Sequence, residues 1–191
     1  MADVSITGAV RVNSRGVHRS ATMLIAAGLA LGGCFSSRQP LIGPADGVKL
    51  FGDGGLAKRV SYASMGGGPL AEDVRFSWVG DSYVISDGRG RREPLNYRLA
   101  VLKGDWFITQ RTEPGGVDYG LARRVGEQIY VYAVQCVDLS DADRAGLGLR
   151  LGGDGTCLIG SLPQLRATMT LVASRHPQAE GYYEVVGPTR P

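Results

Sequence analysis

Three cysteines, two histidines and a few clusters of charge are the side chains of this 191-residue chain whose types and spacing suit chemistry. Asp138, Asp141 and Asp143 lie close together, as calcium ligands do, but the alternating ligands and central Gly of a loop-type calcium motif are missing. Ser140 and Asp143 stand in the order of a capping box, so the same acids read better as the start of a helix, where carboxylates complement the macrodipole. Glu113 with Asp118 is a carboxylate pair of the kind hydrolysis uses, and its chemistry depends on a separation that sequence does not give. Arg89, Arg91 and Arg92 make a basic knot in a Gly-containing link, read as a solvated hairpin loop or as a contact for anions. His176, beside Pro177 at the end of a helical pattern, reads as a solvated helix-terminal side chain. Tyr130, Tyr132, Trp78 and Trp106 are candidates to line a ligand cavity, although aromatic residues on strands are more often core. The chain carries no phosphate loop, nucleophile elbow, Ser-x-x-Lys or His-Glu-x-x-His motif, and Gly66-Gly67-Gly68-Pro69 lacks the strand, Lys and helix that let a Gly run cradle phosphate. No catalytic residue, metal ligand or cofactor is assigned.

The elements that hold these residues are mostly short strands. Val74 to Ser86 carries β-forming residues on both sides of Gly80-Asp81, a favoured two-residue hairpin turn, with Val74, Phe76 and Trp78 on one face. Tyr97 to Lys103 turns at Gly104-Asp105 into Trp106 to Thr109, and Tyr119 to Val125 turns at Gly126-Glu127 into Ile129 to Val134. Lys58 to Ala63 adds a strand ahead of these hairpins, and Tyr182 to Val186 offers one behind. The links Asp87 to Pro94 and Glu113 to Gly116 differ in length and chemistry, so the recurrence is not a solenoid repeat. Ser140 and Ser161 are N-cap candidates, and Leu162, Leu165, Met169 and Val172 form an apolar stripe at helical spacing, limited by Pro177. The expected fold is mainly β (α+β): an antiparallel meander of six to eight strands forming a curled sheet or incomplete barrel, with one or two short C-terminal helices.

Residues 11 to 34 follow a different pattern. Arg11, Arg15 and Arg19 precede an apolar run from Ala21 to Leu31, which Gly32, Gly33 and Cys34 end. A helix across the hydrocarbon core needs roughly 20 apolar residues, so the run reads as an export signal. Leu31-Gly32-Gly33-Cys34 resembles the bacterial lipobox, a Leu and two small residues before a Cys. That resemblance implies a bacterial lipoprotein precursor, with cleavage between Gly33 and Cys34, diacylglycerol on the Cys34 sulfur and a further acyl chain on the new amino group. Several acyl chains anchor firmly, since each buried methylene contributes about 0.8 kcal/mol. Phe35 follows the cysteine where an Asp would direct retention in the inner membrane, so the resemblance implies the outer membrane, with the domain facing the periplasm. Pro40, Gly43, Pro44 and Gly47 oppose a helix after the anchor. The expected organisation is a signal peptide over 1–33, a tether over 34–47 and a single β-rich domain over 48–191.

With Cys34 acylated, Cys136 and Cys157 remain as a pair in an oxidising compartment and read as a disulfide. The leader takes three of the 21 Lys and Arg and one of the 18 Asp and Glu, which leaves a nearly neutral domain and no call for a nucleic-acid partner. The expected partners are the membrane through the anchor and an envelope protein or apolar ligand, while the anion for Arg89, Arg91 and Arg92 becomes a phosphate of lipopolysaccharide or another envelope anion. The leading expectation is a lipid-anchored, non-enzymatic binding or interaction module. A periplasmic inhibitor, akin in size and disulfide use to lipoprotein inhibitors of lysozyme but without their motifs, is the second; a carboxylate-dependent envelope enzyme is the third.

Overall fold

The computed structural model describes residues 35–62, 68–113, 115–132, 134–152 and 155–186. Cys34 and the leader therefore lie outside the described residues, as do Ala63 and Gly66 to Gly67. In chain order the strands are β1 (Phe35–Ser37), β2 (Gly54–Ser61), β3 (Leu70–Val79), β4 (Ser82–Asp87), β5 (Arg92–Lys103), β6 (Trp106–Glu113), β7 (Gly116–Val125) and β8 (Gln128–Tyr132). A 3-10 turn (Cys136–Asp138), α1 (Asp141–Gly146), β9 (Arg150–Leu151), β10 (Cys157–Leu158), α2 (Leu162–Ser174) and β11 (Ala179–Val186) follow.

The three expected hairpins are β3–β4, β5–β6 and β7–β8, each joined by two residues. Their turns open with Gly80, Gly104 and Gly126 at φ of 65°, 58° and 62°, the left-handed backbone that such turns require and that glycine adopts without strain. The meander closes into a barrel of eight antiparallel strands: β6 pairs with β7, and β11 returns to lie between β8 and β2. The expected curl thus goes to completion, because β11 finds edges on both sides. Its close approach to β2 depends on Gly181, where a Cβ would sit 2.2 Å from the Val60 carbonyl oxygen.

Alternation divides the apolar side chains between two cores. Inside the barrel, Val74, Phe76, Tyr83, Ile85, Leu99, Phe107, Ala122, Ile129, Val131 and Tyr183 pack together. Phe51 plugs one end, stacked on Phe76 at 4.0 Å; its N–H donates to the Tyr83 hydroxyl at 2.9 Å, and that hydroxyl donates to the Gly52 carbonyl at 2.7 Å. Burial pushes the Tyr83 hydroxyl up to about 12, so it remains a donor at any physiological pH. Outside the barrel, α2 lies across β5, β6 and β7. Its Leu165, Met169 and Val172 cover Ala100, Ile108 and Leu121. Ser161 caps α2 by accepting from the Gln164 N–H, and Ser140 with Asp143 forms the full capping box of α1.

The expected tether over 34–47 is a correction. From Phe35 onward this stretch belongs to the fold: Phe35 and Ile42 are fully buried, and β1 pairs with both β7 and β10. Proline and glycine spacing ruled out a helix there, but it did not rule out an irregular segment that buries two apolar side chains and finds polar partners. The Ile42 N–H donates to the buried Gln110 Oε1 at 2.8 Å, the Ile42 carbonyl accepts from Arg98 at 2.6 Å, and the Leu41 N–H donates to the Tyr119 hydroxyl at 3.0 Å. Replacing Gln110 with Leu should strand the Ile42 N–H away from water and cost about 1–3 kcal/mol, measured as a lower urea midpoint with an unchanged slope.

β7 uses its edge away from β6 twice. Val125 to Leu121 pair with β8, and Asp118 and Val117 pair with β1, so β8 and β1 follow one another along one line.

Candidate functional site

The barrel interior is the first place to look for a ligand, because eight strands enclose either a packed core or one small molecule. Here the space left among Tyr97, Leu99, Thr109, Val131 and Tyr183 is about 40 Å³. Small-molecule sites are typically about 300–1,000 Å³, so the interior is a filled core with room for little more than water. Of the four aromatic residues considered as cavity lining, Trp78 lies on the inner face and packs edge-on against Tyr83 at 4.8 Å. Trp106, Tyr130 and Tyr132 lie on the outside of the barrel.

At the end opposite Phe51 the inner face turns polar. Period two places Arg59 on the face of Ala57, and Arg111 on the face of Phe107. Arg59 reaches Glu72 at 2.7 Å, while Arg111 reaches Asp118 at 2.7 Å and Glu113 at 3.4 Å. The carboxylate pair Glu113 and Asp118 is therefore brought together, but around one guanidinium, which lies closest to Asp118 and offsets one of the two charges.

The acids after β8 are similarly engaged. Asp138 accepts from the Gln135 N–H at 3.2 Å, Asp141 pairs with Arg144, and Asp143 is shared by Ser140 and Arg175. Those partners, Ser140 first and Arg175 next, hold the Asp143 carboxyl down at about 2. Among the described residues no group of three His, Cys, Asp or Glu is placed to hold a metal ion. A cleft of about 500 Å³ opens beside these acids, between the 3-10 turn and the end of α2, but Arg175 on its wall is already bound to the Asp138 carbonyl at 2.9 Å and to Asp143 at 2.7 Å. His176 follows α2 with a φ of 53°, exposed, as a left-handed residue after a helix end.

Asp87 organises the arginine knot. Its carboxylate accepts from the Arg89 and Arg91 N–H groups, each at 2.9 Å, and from the Arg91 guanidinium at 2.8 Å. The charge of Arg91 is thus balanced inside the loop, while Arg89 and Arg92 are exposed. Cys136 and Cys157 form the disulfide, with a Cα–Cα distance of 5.4 Å, and it ties the segment after β8 to β10.

What remains is the outer wall beside α2, from Trp106 and Arg123 at the turn between β5 and β6 and the end of β7, over β8 and β11 to β2; Trp106 and Tyr132 border the core beneath α2. Trp106 pairs in register with Arg123, Arg123 with Tyr130, and Tyr130 with Tyr182, a row crossing four strands. The Tyr130 and Tyr182 rings are 5.5 Å apart, Tyr182 and Tyr62 6.2 Å, and Trp106 and Tyr132 4.9 Å; Arg123 lies over Trp106 at 5.4 Å. Leu56 pairs with Val186 on the same wall, and these residues, Val125 and Tyr62 are each 45–55% exposed. An outer strand face is ordinarily polar, whereas this one is rich in Tyr, Trp and Arg, the residues that dominate binding energy at interfaces. The signal was present in Gln128-Ile129-Tyr130-Val131-Tyr132, where both faces of one strand are apolar or aromatic. The assembly itself was not legible, because Tyr62 and Tyr182 meet only through the closure by β11.

Glu180 stands at the upper end of this wall, where its carbonyl accepts from the Tyr62 N–H at 2.8 Å. Its Oε2 is buried with no hydrogen-bond partner among the described residues, and burial pushes its carboxyl above the usual range. A raised folded-state pKa favours folding while the group is protonated, and that advantage is lost as pH rises from the unfolded value through the folded one. Glu180→Gln should therefore stabilise the protein at pH 7 and have no effect below about pH 4, as read from paired thermal melts across pH.

No known family model matches the chain, and comparisons with curated proteins and with solved structures likewise return no match.

Proposed function

We propose that this chain is a lipid-anchored lipoprotein of the bacterial envelope whose barrel is a non-enzymatic binding module acting through its outer wall. In this reading Cys34 carries the lipid, the outer membrane holds it, and the barrel faces the periplasm. The observation that carries the choice of surface is the contrast between a filled interior, with about 40 Å³ free, and a half-buried row of Trp106, Arg123, Tyr130 and Tyr182 outside it, flanked by exposed Leu56, Tyr62, Val125 and Val186. A carrier of apolar ligands keeps its cavity inside; a module that works by contact keeps aromatic side chains where a partner reaches them. The lipobox Leu31-Gly32-Gly33-Cys34 supports the anchor. Arg89 and Arg92 remain a secondary contact for anionic headgroups in this reading, with Arg91 largely committed to Asp87.

Photo-crosslinking in living cells tests the surface. A photoreactive residue at position 182, on the wall, should give adducts, and one at position 96, an exposed site on β5, should give none. Equal labelling from the two sites, or labelling only from position 96, would count against the wall.

A further inference from the structure

Resting on the reading that Cys34 is acylated, we infer that the occupant of the outer aromatic wall is the bilayer itself, so that the barrel lies on its side against the membrane that holds its anchor. The position of the chain's entry into the fold carries this. Tyr132 is paired with Leu121 and Ser36 with Asp118, on the same edge of β7. Phe35 therefore enters beside Tyr119, two residues along β7 from the Tyr132 pairing, or about 7 Å at the rise of an antiparallel strand. Residue 34 is joined to it by one peptide, about 3.8 Å between Cα atoms. Phe35 is fully buried and paired with Cys157, and the next residue, Ser36, is paired on both sides, so no slack separates the lipid from the barrel. The fatty chains must leave the protein next to Tyr132, at the border of the wall.

A surface held at that distance from the acyl chains meets the headgroup region, and its chemistry fits that place. Tyr and Trp have an apolar body and a polar tip, and they concentrate where hydrocarbon meets water. The charges facing out among them are matched: Arg123 with Asp105 at 2.8 Å, and Lys58 directly opposite Glu184 in register. Seating is therefore driven by aromatic and apolar area and is insensitive to salt and to anionic lipid, unlike attachment by a polybasic patch. A protein partner or a second copy on this wall would leave lipids out of contact with Trp106.

The chain has only two Trp residues, Trp106 on the wall and Trp78 inside the barrel, which makes the test direct. The acylated protein is reconstituted in phosphatidylethanolamine–phosphatidylglycerol vesicles whose lipids carry bromine near the headgroup end of the acyl chain. In Trp78→Phe protein, Trp106 fluorescence should fall roughly twofold or more, and equally in about 0.5 M salt. In Trp106→Phe protein the remaining Trp78 should be unaffected, and comparison of this variant with the parent gives the same answer if Trp78→Phe folds poorly. Unquenched Trp106 in protein whose mass shows lipid on Cys34 overturns this inference alone, as does quenching that requires anionic lipid. Absence of lipid mass on Cys34 removes the anchor reading, and this inference with it.

Discussion

Phe35→Ala should lower stability by about 3–5 kcal/mol, the cost of emptying a fully buried aromatic site. The side chain has no exposed surface and packs with Val117, Tyr119, Cys157 and Leu165 beneath α2. Little collapse can fill the void, because β1 is pinned by β7 on one side and β10 on the other. Urea unfolding gives the readout: a lower midpoint with an unchanged slope, while Arg38→Ala, at an exposed neighbouring position, stays near the parent. A neutral Phe35→Ala would mean that the first residues after position 34 do not belong to the fold, and the tether would return.

Loss of the disulfide should have the next largest effect. Cys136 and Cys157 are 21 residues apart, and closing a loop of that length removes roughly 3 kcal/mol of unfolded-chain entropy, within a usual range of about 2–5 kcal/mol. Both cysteines are fully buried, so reductant should act only on unfolded protein. The Cys136→Ala, Cys157→Ala double variant is expected to melt about 6–12 °C below the oxidised parent, taking a few degrees per kcal/mol for a domain of this size. Reductant should lower the parent's transition to the same place and leave the variant unmoved. A parent that melts identically with and without reductant at temperatures where it unfolds would contradict this.

The parts of the fold that were legible in the sequence are the ones that local chemistry determines. Gly80-Asp81, Gly104-Asp105 and Gly126-Glu127 announce their turns, and Ser140 and Ser161 announce helix starts, because each signal and its consequence lie within a few residues. Closure of the barrel was not legible: β11 must find β8 and β2 across more than a hundred residues of chain in the second case, and nothing in Tyr182 to Val186 names those partners. The segment after Phe35 was misread for a similar reason. Its backbone partners, Gln110, Arg98 and Tyr119, are all distant in sequence, so Pro40 and Gly43 stood out while the anchors for Ile42 did not.

The same division holds for the candidate site. Tyr130 and Tyr132 stand out in the sequence, but as core or cavity lining, since a strand with apolar residues on both faces does not say which face looks inward. Ile129 and Val131 took the interior, and the tyrosines were left outside to join Tyr182 and Trp106. The disulfide was legible because elimination of Cys34 left a single pair.

The most direct test of the account is mass spectrometry of the amino terminus of the protein extracted from its native membranes. A mature chain beginning at Cys34, with diacylglycerol on its sulfur and Phe35 as the next residue, is the predicted result. A chain that retains residues 1–33, or one that begins at Cys34 with no lipid mass, would contradict the anchor and the function built on it.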